Sequence, residues 1–178
     1  MLTIETERQT TEEQAKEIVN VSMQIKRILK APDKKITNYF KFCPRSMIFC
    51  GVMLVLSALY IIKFGGDALI YVCLGMMAIT LVTTLKIYIS VNNYKKHLLG
   101  QKGKVTVIFD ENGVDYDNHK DRKLNLSWEG TAFIRIFSEC LYVVPKDITS
   151  VMICLKKDDA ERVAGFITEN NINIEIIR

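Results

Sequence analysis

The sequence predicts an α+β membrane protein, a two-helix transmembrane hairpin followed by an antiparallel β-sheet domain that a helix caps. Three observations carry this expectation. Apolar residues concentrate between Met47 and Ile89, the apolar period switches from helical to alternating after Lys104, and an amphipathic stretch follows the alternating region. The implied organisation is an N-terminal strand and amphipathic helix over 1–45, a transmembrane hairpin over 46–90, a basic juxtamembrane linker over 91–103 and a β-rich domain over 104–178.

Leu2 to Glu7 alternates enough for a short strand, and Thr10-Thr-Glu-Glu13 has capping-box spacing. Ala15, Ile18, Val21, Ile25 and Ile28 recur at steps of three or four, which predicts a helix from Thr11 to Leu29, stopped by Pro32. Its polar positions mix Glu12, Glu13 and Glu17 with Lys26, Arg27 and Lys30. A helix lying on anionic lipid carries a cationic polar face, so packing of the apolar stripe on the C-terminal domain is the preferred reading.

Ser46 to Ile62 and Ala68 to Leu85 are uncharged runs of about 17 and 18 residues, enough to cross a hydrocarbon core when Lys63 and Lys86 reach outward. Buried helices of a small soluble protein would still show water a polar face, and neither run has one. The apolar run begins too far into the chain for a cleaved signal peptide. Only Lys63-Phe-Gly-Gly-Asp67 connects the two runs, so they must be antiparallel with their outer ends on one side. Lys34, Lys35, Lys41 and Arg45 precede the first run and Lys86, Lys95, Lys96, Lys102 and Lys104 follow the second, whereas the turn sets one lysine against one aspartate. The positive-inside bias places both termini in the cytoplasm of a two-pass plasma-membrane protein. Tyr60, Tyr71 and Tyr88 fall at headgroup level, and the absence of a charge within either run argues against a transport pathway.

In the C-terminal part, Val105, Val107 and Phe109 share a face, and Glu111-Asn-Gly-Val114 supplies the Asn-Gly pair of a two-residue hairpin. A second strand runs through Val114 and Tyr116 to a turn at Asn118 to Asp121. The third alternates Leu124, Leu126 and Trp128 against Lys123, Asn125 and Ser127, giving one buried and one wet face. Phe133 to Phe137, Cys140 to Val144 and Val151 to Leu155 continue the strands. A helix from Asp158 to Asn170, with Ala160, Val163, Ala164 and Ile167 inward, and a strand through Ile172, Ile174 and Ile176 complete the chain.

The blocks FDENGVDY, LNLSWEG and LYVVPKDI, placed after two membrane helices, resemble the bacterial YcxB-like family: Phe109 and Gly113 in a hairpin, Trp128 in a Ser-Trp strand, and Pro145-Lys146 closing an apolar strand. The resemblance implies a pleckstrin-homology-like (PH-like) domain, a curved antiparallel sheet capped by a helix, and it brings no catalytic residues. Two departures stand out. Asp147 takes a place where the family often has a basic or aromatic residue, and a strand follows the closing helix. Pairing of that strand with Leu2 to Glu7 would join the two termini in one sheet.

The net charge of +4, with acids interleaved among the bases, does not indicate a nucleic-acid partner. None of the five cysteines forms a CxxC pair, which leaves neither a zinc nor a redox motif, and no cofactor is expected. His97 and His119 are the two imidazoles, too few and too far apart for a histidine-based site, so the chain is not expected to be an enzyme. Asp110, Glu111, Asp115, Asp117, His119 and Asp121 lack calcium-loop spacing and fit a solvated face. Trp128 fits the core better than a stacking platform. Lys123, Arg135 and Lys146 are the candidate headgroup or partner contacts, although the residues from 104 onward hold no cluster of four or more bases. The expected role is a membrane-anchored cytoplasmic interaction module whose partners are the lipid bilayer and a protein or a second copy of itself. The alternatives are an immunity protein against a membrane-acting or secreted toxin, a lipid-headgroup-binding domain, and an enzyme using the acidic hairpin with a metal.

Overall fold

Alternating apolar side chains at both ends of the chain assemble into two four-stranded sheets in the computed structural model, which describes residues 1–7, 9–119, 123–147 and 152–178. The chain divides into two units, Met1–Ile36 with His97–Arg178, and Thr37–Lys96.

In the first unit, β1 (Leu2–Glu7), β2 (Lys104–Phe109), β3 (Gly113–Asp117) and β4 (Lys123–Ser127) form an antiparallel sheet in that order. The second sheet runs β7 (Ile153–Lys156), β6 (Cys140–Pro145), β5 (Thr131–Ile136), β8 (Ile176–Ile177), antiparallel except for the parallel β5–β8 pair. Inward residues of the two sheets, Ile4, Val107, Phe109 and Val114 on one and Ile134, Leu141, Val143 and Leu155 on the other, share a core with Val163, Phe166 and Ile167 of α5 (Ala160–Glu169). The outer face of the second sheet is covered as well. Phe133, Cys140, Tyr142 and Val144 pack with Val21 of α1 (Glu12–Ser22) and Ile28 of α2 (Ile25–Lys30). Burial from both faces explains why every residue of β6 is buried and why its sequence is a continuous apolar run.

Several expectations are corrected here. β1 pairs with β2, Ile4 opposite Val107, and not with the C-terminal strand, which is short and lies beside β5. The strands make two sheets rather than one. The N-terminal helix is two helices with a break at Met23-Gln24, and it packs on the sheet as its stripe predicted. The capping box falls one residue later: the Thr11 hydroxyl accepts from Gln14 N at 3.2 Å while Gln14 Oε1 accepts from Thr11 N at 3.0 Å.

The first hairpin turns on Glu111-Asn112 instead of Asn-Gly. Asp110 N donates to Gly113 O at 3.0 Å, and the Asp110 carboxylate accepts from the backbone N–H groups of Asn112 and Gly113 at 2.7 and 2.8 Å. Gly113 is needed for proximity: a Cβ there would lie 2.3 Å from Leu126 O and 2.8 Å from Ser127 Cα on β4. Residues 120–122 of the next turn, including Asp121, and residue Val151 of the expected Val151–Leu155 strand lie outside the described residues.

The second unit holds α3 (Tyr39–Phe64) and most of α4 (Ala68–Gly100). Asn38 Oδ1 accepts from Lys41 N at 3.3 Å and Asp67 Oδ1 from Ile70 N at 3.0 Å, capping the two helix starts. Gly65, at φ 77°, ends α3. Both helices are long and apolar enough to cross a membrane, and only 6% of the apolar window of each is buried. Residues 91–100, expected as part of a basic linker, are helical: α4 runs on to Gly100, with Val91 and Leu98 buried. Thr80 and Thr84 turn their hydroxyls back to the carbonyls of Met76 and Thr80 at 2.8 and 2.7 Å, and Thr83 does so to Ile79, so these groups are satisfied within the helix.

Candidate functional site

The helix α2, IKRILK, has two chemically distinct sides. Ile25, Ile28 and Leu29 lie against the outer face of the second sheet, which leaves Lys26, Arg27 and Lys30 exposed. The chain then passes through Pro32 and the exposed Asp33, Lys34 and Lys35 to Ile36, which returns to the same apolar cluster. Arg135 of β5 holds this segment from beneath. Its Nη2 donates to Lys34 O at 3.2 Å, and its guanidinium stands 4.3 Å from the centroid of the Phe137 ring, which in turn meets Tyr142 edge-on. Arg135 is 8% exposed, and its Nη1 is buried with no hydrogen-bond partner among the described residues. Burial lowers its pKa, opposed by the charge of Asp33. A side chain buried under the segment orients its backbone and sends the Lys34 and Lys35 side chains outward.

The three bases singled out in the sequence are not brought together. Lys123 is an exposed residue of β4 paired with Asp117 at 3.2 Å, and Arg135 is buried in β5. Lys146 is exposed just past β6, with its backbone N donating to Gly130 O at 2.8 Å. Among the described residues no hydrogen bond or ion pair links these three side chains. The remaining motif residues have structural tasks. Phe109 lies 6.3 Å from the Trp128 ring and 6.4 Å from Phe166, centroid to centroid. Trp128, just past β4 and half-buried on the core, donates from Nε1 to Asp110 O at 2.9 Å and so ties two turns together. Pro145 ends β6 opposite Thr131.

A second polar cluster lies where α1 meets the start of β6. The Glu17 carboxylate accepts from Glu139 N at 3.0 Å and Cys140 N at 2.9 Å, and more weakly from the Tyr142 hydroxyl at 3.4 Å. Burial raises the Glu17 pKa in spite of these backbone hydrogen bonds. The Tyr142 hydroxyl is raised chiefly by burial, and the Cys154 thiol chiefly by its contact with Cys140 and then by burial. The Tyr142 hydroxyl and the Cys154 thiol therefore keep their protons around pH 7.

The outer face of the first sheet is wet, as its alternation predicted. Asp115 accepts from the Asn125 amide at 2.7 Å, and Asp117, lowered first by the His119 backbone N–H and then by Lys123, lies in register with Thr106. His119, at φ 55°, bonds through Nε2 to the Thr106 hydroxyl at 2.7 Å, beside a shallow depression that Glu5, Glu7 and Lys104 also line. Among the described residues no group of three His, Cys, Asp or Glu side chains is arranged to hold a metal.

Comparison with family models, with curated proteins and with solved structures returned no match. The functional reading therefore rests on the chain's own residues. For the strip from Lys26 to Lys35, the sequence sets Lys26, Arg27 and Lys30 near anionic headgroups against the acids Glu12, Glu13 and Glu17 of the same expected helix, and the break at Met23-Gln24 separates those acids from the bases. The signal of the strip was present in KRILKAPDKK, and pairing of β1 with β2 is what brings that segment into the same unit.

Proposed function

We propose that this chain is a membrane-tethered interaction module, anchored by α3 and α4 in the plasma membrane with both termini cytoplasmic. The observation that carries the reading is the exposure of α3 and α4, whose apolar windows are only 6% buried. Side chains such as Ile48, Leu59, Leu69 and Ile79 are more than half exposed, which water does not tolerate over such an area and lipid does. Lys41, Arg45 and Lys86 flank the ends away from the turn, in keeping with the positive-inside bias. Tyr60, Phe64 and Tyr71 gather toward the turn, as interfacial aromatic rings do.

The sheet unit supplies the interaction surface. Two sheets, antiparallel apart from the β5–β8 pair and sharing a core with α5, support a PH-like reading, and the three motif blocks support kinship with the YcxB-like family. Among the described residues β4 hydrogen-bonds to a strand on one side only, so its outer edge offers backbone groups to a protein strand or to a second copy. Crosslinking in native membranes followed by purification of the full chain tests the proposal. Recovery of a reproducible protein partner or of a homodimer is expected. Release of the chain by alkaline carbonate, or a monomer with no crosslinked partner, overturns it.

A further inference from the structure

From Gln24 to Arg45 the chain carries Lys26, Arg27, Lys30, Lys34, Lys35, Lys41 and Arg45 against one acid, Asp33. Packing decides where the first five of these point. The apolar side of α2 is spent on the sheet, and Arg135 with Ile36 fixes the segment that follows, so the five bases form an exposed strip. Only three residues lie between Lys35 and the start of α3 at Tyr39, a tether of four residue steps that spans at most about 14 Å when fully extended. An exposed cationic strip is therefore held by a short leash to a helix apolar enough to cross a bilayer.

We propose that this strip binds the headgroups of anionic phospholipids in the bilayer that α3 and α4 cross. The inference rests on the membrane reading above and adds to it a lipid class and a binding surface. Each base within a Debye length of about 10 Å of an anionic surface raises the preference for that surface about fivefold, and the strip offers five in ten residues. The outer face of the first sheet does not compete, because Lys104 and Lys123 there are interleaved with Glu5, Glu7, Asp115 and Asp117. Arg135 acts as a positioning residue, shaping the strip without meeting the lipid.

The test uses the full chain in nanodiscs of phosphatidylcholine alone and of phosphatidylcholine mixed equally with phosphatidylglycerol. A pulse of amine acetylation read by mass spectrometry reports Lys26, Lys30, Lys34 and Lys35, with Lys16 and Lys123 as internal references. Acetylation of the four is expected to slow about threefold or more in the anionic discs and to recover in high salt, where the Debye length shrinks to about 3 Å. Amide hydrogen exchange over 25–36 should slow in parallel. The variant K26Q/R27Q/K30Q/K34Q/K35Q alters only exposed side chains and should keep native Trp128 fluorescence while losing the lipid-dependent protection.

Equal acetylation in both discs overturns the proposal, as does undiminished protection in the variant. Protection by soluble polyglutamate in neutral discs, without an effect of phosphatidylglycerol, overturns it in favour of an acidic protein partner. A chain that enters neither disc overturns the membrane reading itself, which size-exclusion co-elution distinguishes from loss of lipid preference alone.

Discussion

Replacing Gly113 by alanine probes the closest approach between strands in the sheet unit. The new Cβ would stand 2.3 Å from Leu126 O and 2.8 Å from Ser127 Cα, and both atoms belong to the backbone of β4. An ordinary carbon–oxygen contact is about 3.3 Å, so the overlap with the carbonyl is about 1 Å. No rotamer change relieves it. β4 must move away from β3, which stretches the ladder that pairs Gly113 with Ser127 and Val114 with Leu126. Overpacking costs about 1–3 kcal/mol, and the main-chain origin of this clash puts the expected loss at the upper end, about 2–3 kcal/mol. The corresponding fall in melting temperature is about 10 °C. Trp128, the one tryptophan of the chain, follows β4 directly and reports the event. Urea titration of the full chain in neutral nanodiscs, followed by Trp128 emission, should show an earlier midpoint at unchanged slope. A change below about 0.5 kcal/mol would refute the close-approach argument.

Ile28→Ala removes a 2%-exposed side chain from the layer between α2 and the second sheet, and a loss of about 2–4 kcal/mol is expected by the same titration. Arg135→Ala deletes the bond to Lys34 O and the stack on Phe137, so exchange of amides 31–36 should accelerate. Arg135→Met, which keeps an apolar contact with the ring, should accelerate it less, and equal effects would deny the stacking its part. Because the folded pKa of Glu17 is raised above its ordinary value of 4.5, the folded state holds the proton longer than the unfolded one. Stability should therefore decrease as pH climbs from that value through the raised one, and Glu17→Gln should flatten this part of the profile of midpoint against pH. Cys73 is exposed within the apolar run of α4, so a membrane-impermeant maleimide should leave it unmodified in intact membranes and label it after denaturation in detergent.

The apolar runs of α3 and α4 were legible because a long apolar helix announces itself in consecutive residues, and Asp67 and Gly65 mark the turn by local backbone chemistry. The β2–β3 hairpin was legible from alternation, but its turn was displaced because the Asp110 carboxylate bonds the two following amides. Neither alternation nor turn composition reveals that Gly113 must lack a side chain, since the obstructing atoms come from β4. Arg135 reads as a surface base in a strand of apolar neighbours, but in the structure it is buried, bonded to Lys34 O a hundred residues earlier in the chain and stacked on Phe137.

The two apolar helices, the alternating strands and the wet face bearing Asp115 and Asp117 are all written into the amino-acid order. All of these depend on periods of two or 3.6 residues along a single element. Tertiary structure alone decided that β1 joins β2, that β6 is buried on both faces, and that Lys26 to Lys35 belongs to the same unit as the C-terminal strands. Those outcomes depend on contacts across about a hundred residues of chain, where many apolar strands are chemically equivalent partners and only the combined burial of all of them selects the pairing.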